Sequence, residues 1–266
     1  MNEAELVFTQ VLNCKRQDLY LKREVLLDKG ACEVISRMLQ ERISGKPVQY
    51  VLGKTEFMGL DFKLAWGVFI PRPETEILVD TLLDEVTSSS RQALVKPKVL
   101  DLGTGSGCIA VSSAKLLPDI EVTASDISYL ALETARENAK LNNAEVNFIN
   151  SNLFDAFNLR SARYSAIVCN PPYIPSLEIE QLQREVRYEP RIALDGGMDG
   201  LDFYRRILQD SWAFLEDGGQ LILEIGFGQR RAIERIAGNS KIFSMSRIVR
   251  DYNDIERVVV LKKNRS

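Results

Sequence analysis

The tetrapeptide Asn170-Pro171-Pro172-Tyr173 forms a rigid turn rich in hydrogen-bond acceptors, directly after a short apolar segment. Neither proline has an N–H group and both have a fixed φ, so the turn offers the Asn170 side-chain oxygen and a prolyl carbonyl as acceptors. Two such acceptors could hold a planar –NH2 group while its nitrogen is alkylated. An ordinary turn at the end of a strand is the alternative, because Asn-Pro commonly opens turns.

A second group of residues, Gly103-Thr104-Gly105-Ser106-Gly107, lies between an apolar run and a segment whose apolar residues repeat with helical spacing. A strand, a Gly-rich turn and a helix N-terminus form a site at which a ligand can approach the backbone closely. The dinucleotide-binding fingerprint would need glycine or alanine where this chain has Cys108. The spacing therefore favours a nucleoside ligand without a pyrophosphate group.

Asp126 ends the next apolar run, 19 residues after Gly107. A carboxylate at this position can accept hydrogen bonds from both hydroxyl groups of a ribose. Asp126 could instead cap the following helix, as could Ser128. A helix cap would not require a Gly-rich turn one strand earlier, so we favour the ribose interpretation.

These residues need a sheet that holds them at one edge, and the rest of the sequence predicts one. The alternation of strands and helices predicts an α/β fold with a mainly parallel sheet. Ligands bind beyond the carboxyl ends of such strands, where Gly103, Asp126, Asn152 and Asn170 fall. Strands are predicted near 98–102, 120–125, 145–150, 164–169 and 220–225, with a final antiparallel pair near 243–250 and 256–262.

Three units are predicted along the chain. Residues 1–53 have apolar residues at helical spacing and form a small helical N-terminal domain. Residues 54–70 alternate in polarity around Gly59, which predicts a hairpin that links the two domains. Residues 71–266 form the α/β domain with the two turns described above.

Composition excludes several kinds of chemistry. The chain has 266 residues, 45% of them hydrophobic, and a net charge of −3 from 34 basic and 37 acidic residues. It contains no histidine, which excludes Ser-His-Asp and Cys-His catalysis and most imidazole metal sites. Its four cysteines form no C-x-x-C pair, so we expect no metal site and no disulfide framework. We find no signal peptide or membrane span in the sequence and expect a cytoplasmic protein.

Together the motifs resemble those of class I methyltransferases that use S-adenosyl-L-methionine, and more closely those of the release factor glutamine methyltransferases (the PrmC/HemK family). The resemblance covers nearly the whole chain and implies a Rossmann-like sheet. It rests on the segments Ile70–Glu76, Asp101–Ala110, Asn170–Ile174 and Leu223–Gly226, with Gln229. Within the loop after the Asn-Pro-Pro-Tyr turn it rests on Glu189-Pro190, Ala193-Leu194, Gly196-Gly197 and Asp199-Gly200-Leu201.

The resemblance implies transfer of a methyl group to the side-chain amide of the glutamine in the GGQ motif of peptide chain release factors. Asn170, Pro171 and Tyr173 would be catalytic, and Pro172 would join them in binding the substrate. The Asn170 oxygen and the Pro171 carbonyl would accept the two amide N–H groups, and Tyr173 would pack on the glutamine chain. The cofactor would contact Gly103, Thr104, Gly105, Ser106, Gly107, Asp126, Asn152, Leu153 and Asn170.

Three features qualify this expectation. The opening helices usual in the family are expected to be missing, so the N-terminal domain is expected to be short at its start. Asn152 and Leu153 stand where relatives contact the adenine, but a plain turn and a core leucine explain them equally well. Gly218-Gly219-Gln220 spells the methylated tripeptide, yet it leads into an apolar run and is expected to be structural.

Other functions share these motifs. A ribosomal-protein glutamine methyltransferase would have nearly the same core. An adenine-N6 DNA or RNA methyltransferase would also need a basic groove and room for a flipped base, which the net charge and the missing target-recognition domain disfavour. A non-catalytic binding module is disfavoured because both turns are intact. The long loop over residues 174–200 is expected to cover the substrate.

Overall fold

The computed structural model of the protein describes residues 2–21, 26–90, 96–158, 163–239 and 241–264, and no side chain at 89 or 90. Its first unit is helical, with α1 at Glu3–Val11, α2 at Arg16–Leu21, α3 at Lys29–Ile43 and α4 at Val48–Leu52. Asn2 begins α1 with a capping box, because its side chain accepts from the Glu5 backbone and Glu5 accepts from the Asn2 backbone. Asp28 begins α3 with a simple cap, because its side chain accepts from the Ala31 N–H at 2.7 Å.

A two-stranded hairpin, β1 at Lys54–Phe57 and β2 at Leu60–Lys63, connects this unit to the sheet. Met58 and Gly59 both have a positive φ, which a two-residue hairpin turn requires and which favours glycine. The rings of Phe57 and Phe62 meet edge to face at 6.1 Å and are buried in the main core. The strands end at Lys63, so residues 64–70 of the expected hairpin segment continue without strand structure.

The α/β fold is confirmed, with a mainly parallel sheet of seven strands in the order β5-β4-β3-β6-β7-β9-β8. The first five strands in this order run parallel, whereas β9 is antiparallel to both β7 and β8. The strands are β3 at Lys98–Leu102, β4 at Glu121–Asp126, β5 at Val146–Asn150, β6 at Tyr164–Cys169, β7 at Leu215–Glu224, β8 at Phe243–Arg250 and β9 at Glu256–Lys263.

Helices cover both faces of the sheet. They are α5 at Pro73–Ser90, α6 at Cys108–Leu116, α7 at Tyr129–Asn142, α8 at Asp202–Asp210 and α9 at Arg230–Asn239. Short 3-10 turns lie at Ile179–Gln181, Val186–Tyr188, Arg191–Ala193 and Ser211–Ala213. Alternate strand residues enter two separate cores, as the period of two requires: Val99 packs with α5 and α6, and Leu100 packs with α8 and α9. Both faces of the central strands are therefore buried, which explains their continuous apolar runs.

The sheet register decides where the two turns lie. Leu102 of β3 pairs with Ser125 of β4 and with Cys169 of β6. The next residues along the chain, Gly103, Asp126 and Asn170, therefore leave the sheet side by side. Strand order reverses between β3 and β6, which is the point where ligands bind in open α/β sheets.

The Gly218-Gly219-Gln220 segment lies inside β7 rather than at an exposed tip. Pairing with β6 shifts register between Leu215 and Gln220, and Gly218 has a φ of +80° at this irregularity. Gln220 is buried and its side chain donates to Glu85. The tripeptide therefore has a structural position in this chain.

Gly107→Ala should destabilise the protein more than Gly53→Ala. Gly107 has a φ of +83° and an added Cβ would lie 2.9 Å from the Cβ of Ala135, whereas Gly53 has a φ of +69° and open space around it. Both variants force alanine into a left-handed backbone, at about 1–2 kcal/mol. Only Gly107→Ala adds overpacking, typically about 1–3 kcal/mol. Urea unfolding measures both losses, and equal values would contradict close packing at Gly107.

Candidate active site

The carboxyl ends of β3, β4 and β6 open into a cavity of about 380 Å³. This volume is within the range of small-molecule sites. Gly107 is the one residue of the expected site that does not line the cavity, because it packs against Ala135 of α7. The expected residues that do line it are Gly103, Thr104, Gly105, Ser106, Asp126, Asn152, Leu153, Asn170, Pro171, Pro172 and Tyr173.

The Gly-rich turn leaves space where side chains would otherwise stand. Gly103 and Gly105 have φ values of +70° and +57°, and no atom lies within 4 Å of a Cβ built on either. Their conformations favour glycine, and the missing side chains leave the backbone accessible from the cavity. The turn is held in place because the Thr104 N–H donates to the Ser125 carbonyl at 2.9 Å.

Asp126 is held by backbone donors from two sides. Its Oδ2 accepts from the Gly105 N–H at 2.9 Å and its Oδ1 from the Ser128 N–H at 2.8 Å. Burial raises the pKa of Asp126, and these N–H groups oppose the shift. The side-chain cap of α7 comes from Ser128, whose hydroxyl accepts from the Ala131 N–H. Each Asp126 oxygen keeps acceptor capacity, since a carboxylate oxygen can accept two hydrogen bonds.

Asp101, which sequence reasoning did not single out as a site residue, lies buried behind the Gly-rich turn. Its Oδ2 accepts from the Thr104 hydroxyl at 2.6 Å, and its Oδ1 has no partner among the described residues. Burial raises the pKa of Asp101 to about 7, and the nearby charge of Asp126 adds to the shift. A carboxyl so placed supports the turn from beneath.

Asn152 and Leu153 line the same cavity as the turn formed by residues 170–173. The Asn152 oxygen already accepts a hydrogen bond from Arg206 at 3.1 Å, so its acceptor is shared with α8. Leu153 has a φ of +52° and also packs against the core beneath α8. Contact of either residue with an adenine stays a prediction.

The amide of Asn170 is held on one side. Its Nδ2 donates to the Thr75 hydroxyl at 3.1 Å, and Thr75 donates to Glu224 Oε2 at 2.7 Å. The Tyr173 hydroxyl approaches Glu224 Oε1 at 3.5 Å. With its –NH2 group engaged, Asn170 has its side-chain oxygen left as an acceptor.

The backbone of the same turn is fixed by Gln229. The Gln229 amide donates to the Tyr173 carbonyl at 2.9 Å and to the Gly200 carbonyl at 3.2 Å. Its oxygen accepts from the Gly226 N–H at 2.9 Å. One side chain therefore ties the turn to the end of the 174–200 loop and to the turn after β7.

Glu224 is the buried carboxylate behind this turn, and sequence reasoning placed it in a motif without giving it a role. Burial raises its pKa to about 7, whereas the Thr75 hydrogen bond and the charge of Arg257 act in the opposite direction. The available signal was an acid at the carboxyl end of an apolar strand, where ligands bind.

The loop over residues 174–200 covers one side of the cavity. Ile174 pairs with the far end of the loop, donating to the Leu194 carbonyl at 3.0 Å. In the middle of the loop, buried Glu189 forms an ion pair with Arg72 and accepts from the Ile70 N–H at 3.0 Å. The loop and the segment before α5 therefore close around the same space.

Neither a metal cluster nor a membrane-crossing helix is found in the described part of the chain. No group of three or more Cys, Asp or Glu side chains there could hold a metal ion. No described helix is both long and apolar enough to cross a membrane.

Known proteins resemble the chain along its whole length. Residues 70–186 match the family model of the methyltransferase small domain, and residues 1–53 match that of the PrmC N-terminal domain. The release factor glutamine methyltransferase of Thermodesulfovibrio yellowstonii is 37% identical over 100% of this chain and 94% of its own. The enzyme of that name from Geobacter sulfurreducens is 40% identical over 97% and 87%.

A solved methyltransferase from Pyrococcus furiosus has the same fold, with a TM-score of 0.58 and 19% identity over 86% of this chain and 97% of its own. The fold and the cavity at the strand ends thus define a methyltransferase with a Rossmann-like sheet. Within that class, the chain belongs to the release factor glutamine methyltransferase family.

Arg72→Met should destabilise the protein in a pH-dependent way, because it leaves the Glu189 carboxylate buried without its cation. We expect a loss of about 3 kcal/mol near neutral pH. Burial already raises the pKa of Glu189, and loss of Arg72 raises that pKa further. Protonation relieves the penalty, so the loss grows as pH rises through the folded-state pKa and is smallest in acid.

Urea unfolding at about pH 5 and about pH 8 measures this difference. Arg191→Met is the matched control, because Arg191 is 59% exposed in its ion pairs with Glu180 and Asp195. We expect less than about 1 kcal/mol there at either pH. A pH-independent loss in Arg72→Met would contradict the role given to Glu189.

Proposed function

We propose that the protein methylates the side-chain amide nitrogen of a glutamine in the GGQ motif of peptide chain release factors, with S-adenosyl-L-methionine as methyl donor. One observation carries the proposal: the oxygen of Asn170 is left as an acceptor beside the Gly-rich turn and Asp126. The relatives named above carry the same activity in their names, which supports the choice of substrate.

The residues present fit the cofactor. Open space above Gly103 and Gly105 admits a ligand to the backbone, and Asp126 keeps acceptors for two ribose hydroxyls. When bound, S-adenosyl-L-methionine supplies a methyl group already activated on a sulfonium. The chain then needs no histidine or metal for this step, in agreement with its composition.

The chain's contribution to the reaction is to hold and orient the substrate amide. The Asn170 oxygen and the Pro171 carbonyl accept the two N–H groups, which fixes the nitrogen and favours positive charge on it. The nitrogen gains the methyl group and loses one proton to water. Tyr173 packs against the glutamine side chain.

Charge in the cavity supports a protein substrate over a nucleic acid. Arg72 is the only basic side chain in the described lining, and it is paired with Glu189. A flipped nucleotide would bring phosphates that find no unpaired cation there. Stable nucleic-acid binding is therefore not part of the proposal, and a location in the cytoplasm stays a prediction.

We assign recognition of the release factor to residues 1–53, with 54–70 as linker and 71–266 as the catalytic domain. The helical unit contacts the loop over residues 174–200 that covers the cavity, because Arg42 of α3 pairs with Glu185 at 3.0 Å. The Tyr188 hydroxyl also donates to the Ser44 carbonyl at 2.9 Å. A partner that docks on these helices lies beside the loop over the cavity.

Asp126→Ala should weaken binding of S-adenosyl-L-methionine and its demethylated product by about 1.5–3 kcal/mol, the scale of hydrogen bonds to a charged group. Asp126→Asn keeps one acceptor oxygen and should lose less. Titration calorimetry gives both affinities, and thermal unfolding controls for displacement of the Gly105 loop. Unchanged affinity in Asp126→Ala, or tight binding of NAD to the unchanged protein, would contradict the ribose role.

Asn170→Ala should reduce methyl transfer at least about a hundredfold, the scale for one preorganised polar group. Stability should change little, because Asn170 is half-buried at a strand end. Asn170→Asp keeps an acceptor and should retain more activity than Asn170→Ala. The measurement is single-turnover transfer of labelled methyl from S-adenosyl-L-methionine to a release factor, followed by location of the label on the peptide.

Three outcomes would overturn the proposal. Label in DNA or in a ribosomal protein but not in the release factor would reassign the substrate. Label on a residue other than the GGQ glutamine would reassign the acceptor. Equal single-turnover rates for Asn170→Ala and the unchanged protein would make the turn structural only.

A further inference from the structure

A chain of hydrogen bonds runs from the cavity to a buried carboxylate. Asn170 donates to Thr75 and Thr75 donates to Glu224 Oε2, over 3.1 and 2.7 Å. Thr75 and Glu224 are 2% and 1% exposed, so water does not compete for these groups. The three residues come from three elements, the end of β6, the first turn of α5 and the end of β7.

The hydrogens available on these groups fix the donor and the acceptor in each of the two hydrogen bonds. An ionised carboxylate can only accept, and a threonine hydroxyl has a single hydrogen to donate. The Thr75 hydrogen is committed to Glu224, so the Thr75 oxygen can only accept from Asn170. The –NH2 group of Asn170 must then face Thr75, and its oxygen must face away toward the cavity.

We propose that Thr75 and Glu224 are positioning residues that set which end of the Asn170 amide meets the substrate. This inference rests on the proposed function, since the substrate is taken to present an –NH2 group. An Asn170 oxygen toward the cavity accepts from that group. A flipped Asn170 would place its own –NH2 group against the –NH2 group of the substrate. Two donors cannot hydrogen-bond to each other, so the substrate nitrogen would not be held.

Glu224 must be ionised for the direction to be enforced. A protonated Glu224 can donate to Thr75, which frees the Thr75 hydrogen to point at Asn170 and allows the flipped amide. Burial raises the pKa of Glu224 to about 7, so the switch falls near neutral pH.

Charged and titratable groups lie near Glu224 on several of the elements around it. Arg257 lowers its pKa, but this guanidinium is shared with Asp251 at 2.9 Å and so neutralises Glu224 only in part. The others are Glu74 on α5, Tyr173 on the turn after β6, Tyr204 on α8, Cys169 on β6 and Cys108 on α6.

The test compares Thr75→Val, Thr75→Ser and Glu224→Gln with the unchanged protein. Thr75→Val keeps the shape and removes the hydroxyl, so kcat should fall at least about tenfold. Thr75→Ser restores the hydroxyl and should recover most of kcat. KM for the release factor and calorimetric affinity for S-adenosyl-L-methionine should change less than about threefold, because neither ligand binds through Thr75 alone.

The pH profile separates positioning from packing. In the unchanged protein kcat should rise with pH through about 7, as Glu224 loses its proton. Glu224→Gln cannot ionise and its amide can donate to Thr75, so kcat should be low and this rising limb absent. Asp101 also has a pKa near 7, but it lies under the cofactor turn and any effect should appear in cofactor affinity.

Several results would overturn the inference. Thr75→Val with unchanged kcat, Thr75→Ser as impaired as Thr75→Val, or a rising limb retained in Glu224→Gln would each do so. A fall in cofactor affinity equal to the fall in kcat would show a general packing defect instead. An unchanged protein that fails to methylate release factors would overturn the proposed function itself, whereas these variant results leave that function standing.

Discussion

The register between β3 and its two parallel neighbours is the constraint on which the site depends. Leu102, Ser125 and Cys169 are paired across three neighbouring strands, so the segments that follow them leave the sheet at the same height. Parallel strands make this possible because their carboxyl ends share one edge. The Gly-rich turn, the carboxylate of Asp126 and the amide of Asn170 thereby come together, although they lie far apart in the sequence. A shift of one strand by one residue would turn its side chains to the opposite core and separate the turns.

Two buried acids behind the cavity lining, Asp101 and Glu224, orient its hydrogen bonds and also carry a stability cost at neutral pH. Burial raises the pKa values of Asp101 and Glu224 to about 7, and each accepts a short hydrogen bond from a threonine hydroxyl. A carboxyl group with a raised folded-state pKa favours folding at low pH, and this contribution is lost as pH rises through about 7. In return, these hydrogen bonds have a fixed direction. An ionised carboxylate can only accept, so the hydrogen of each threonine hydroxyl points toward it. The Asn170 amide, which donates to Thr75, is oriented in turn.

Local pattern was enough to predict most of the sheet, and the reasons are visible in particular elements. β3 and β6 lie at the predicted residues because both faces are buried and apolar runs mark them directly. β7 begins at Leu215 rather than near 220, since an irregular pairing with β6 extends it through Gly218. The sequence pattern did not predict Thr75 as a site residue. Its partners Asn170 and Glu224 are 95 and 149 residues away, and local periodicity carries no information about such distant contacts. Gly107 was placed in the site by its motif, but it packs against α7.

The helical unit, although remote in sequence, contacts the loop over residues 174–200 that covers the cavity. The segment 185–189 is held by Arg42, by the Ser44 carbonyl and, through Glu189, by Arg72. The partly exposed Arg42 pair is worth about 1 kcal/mol or less alone, whereas the buried Glu189 carboxylate cannot lose its cation without a large penalty. The position of the cover over Asn170 therefore depends on one strong anchor from the segment before α5 and on weaker ones from α3 and the residue after it.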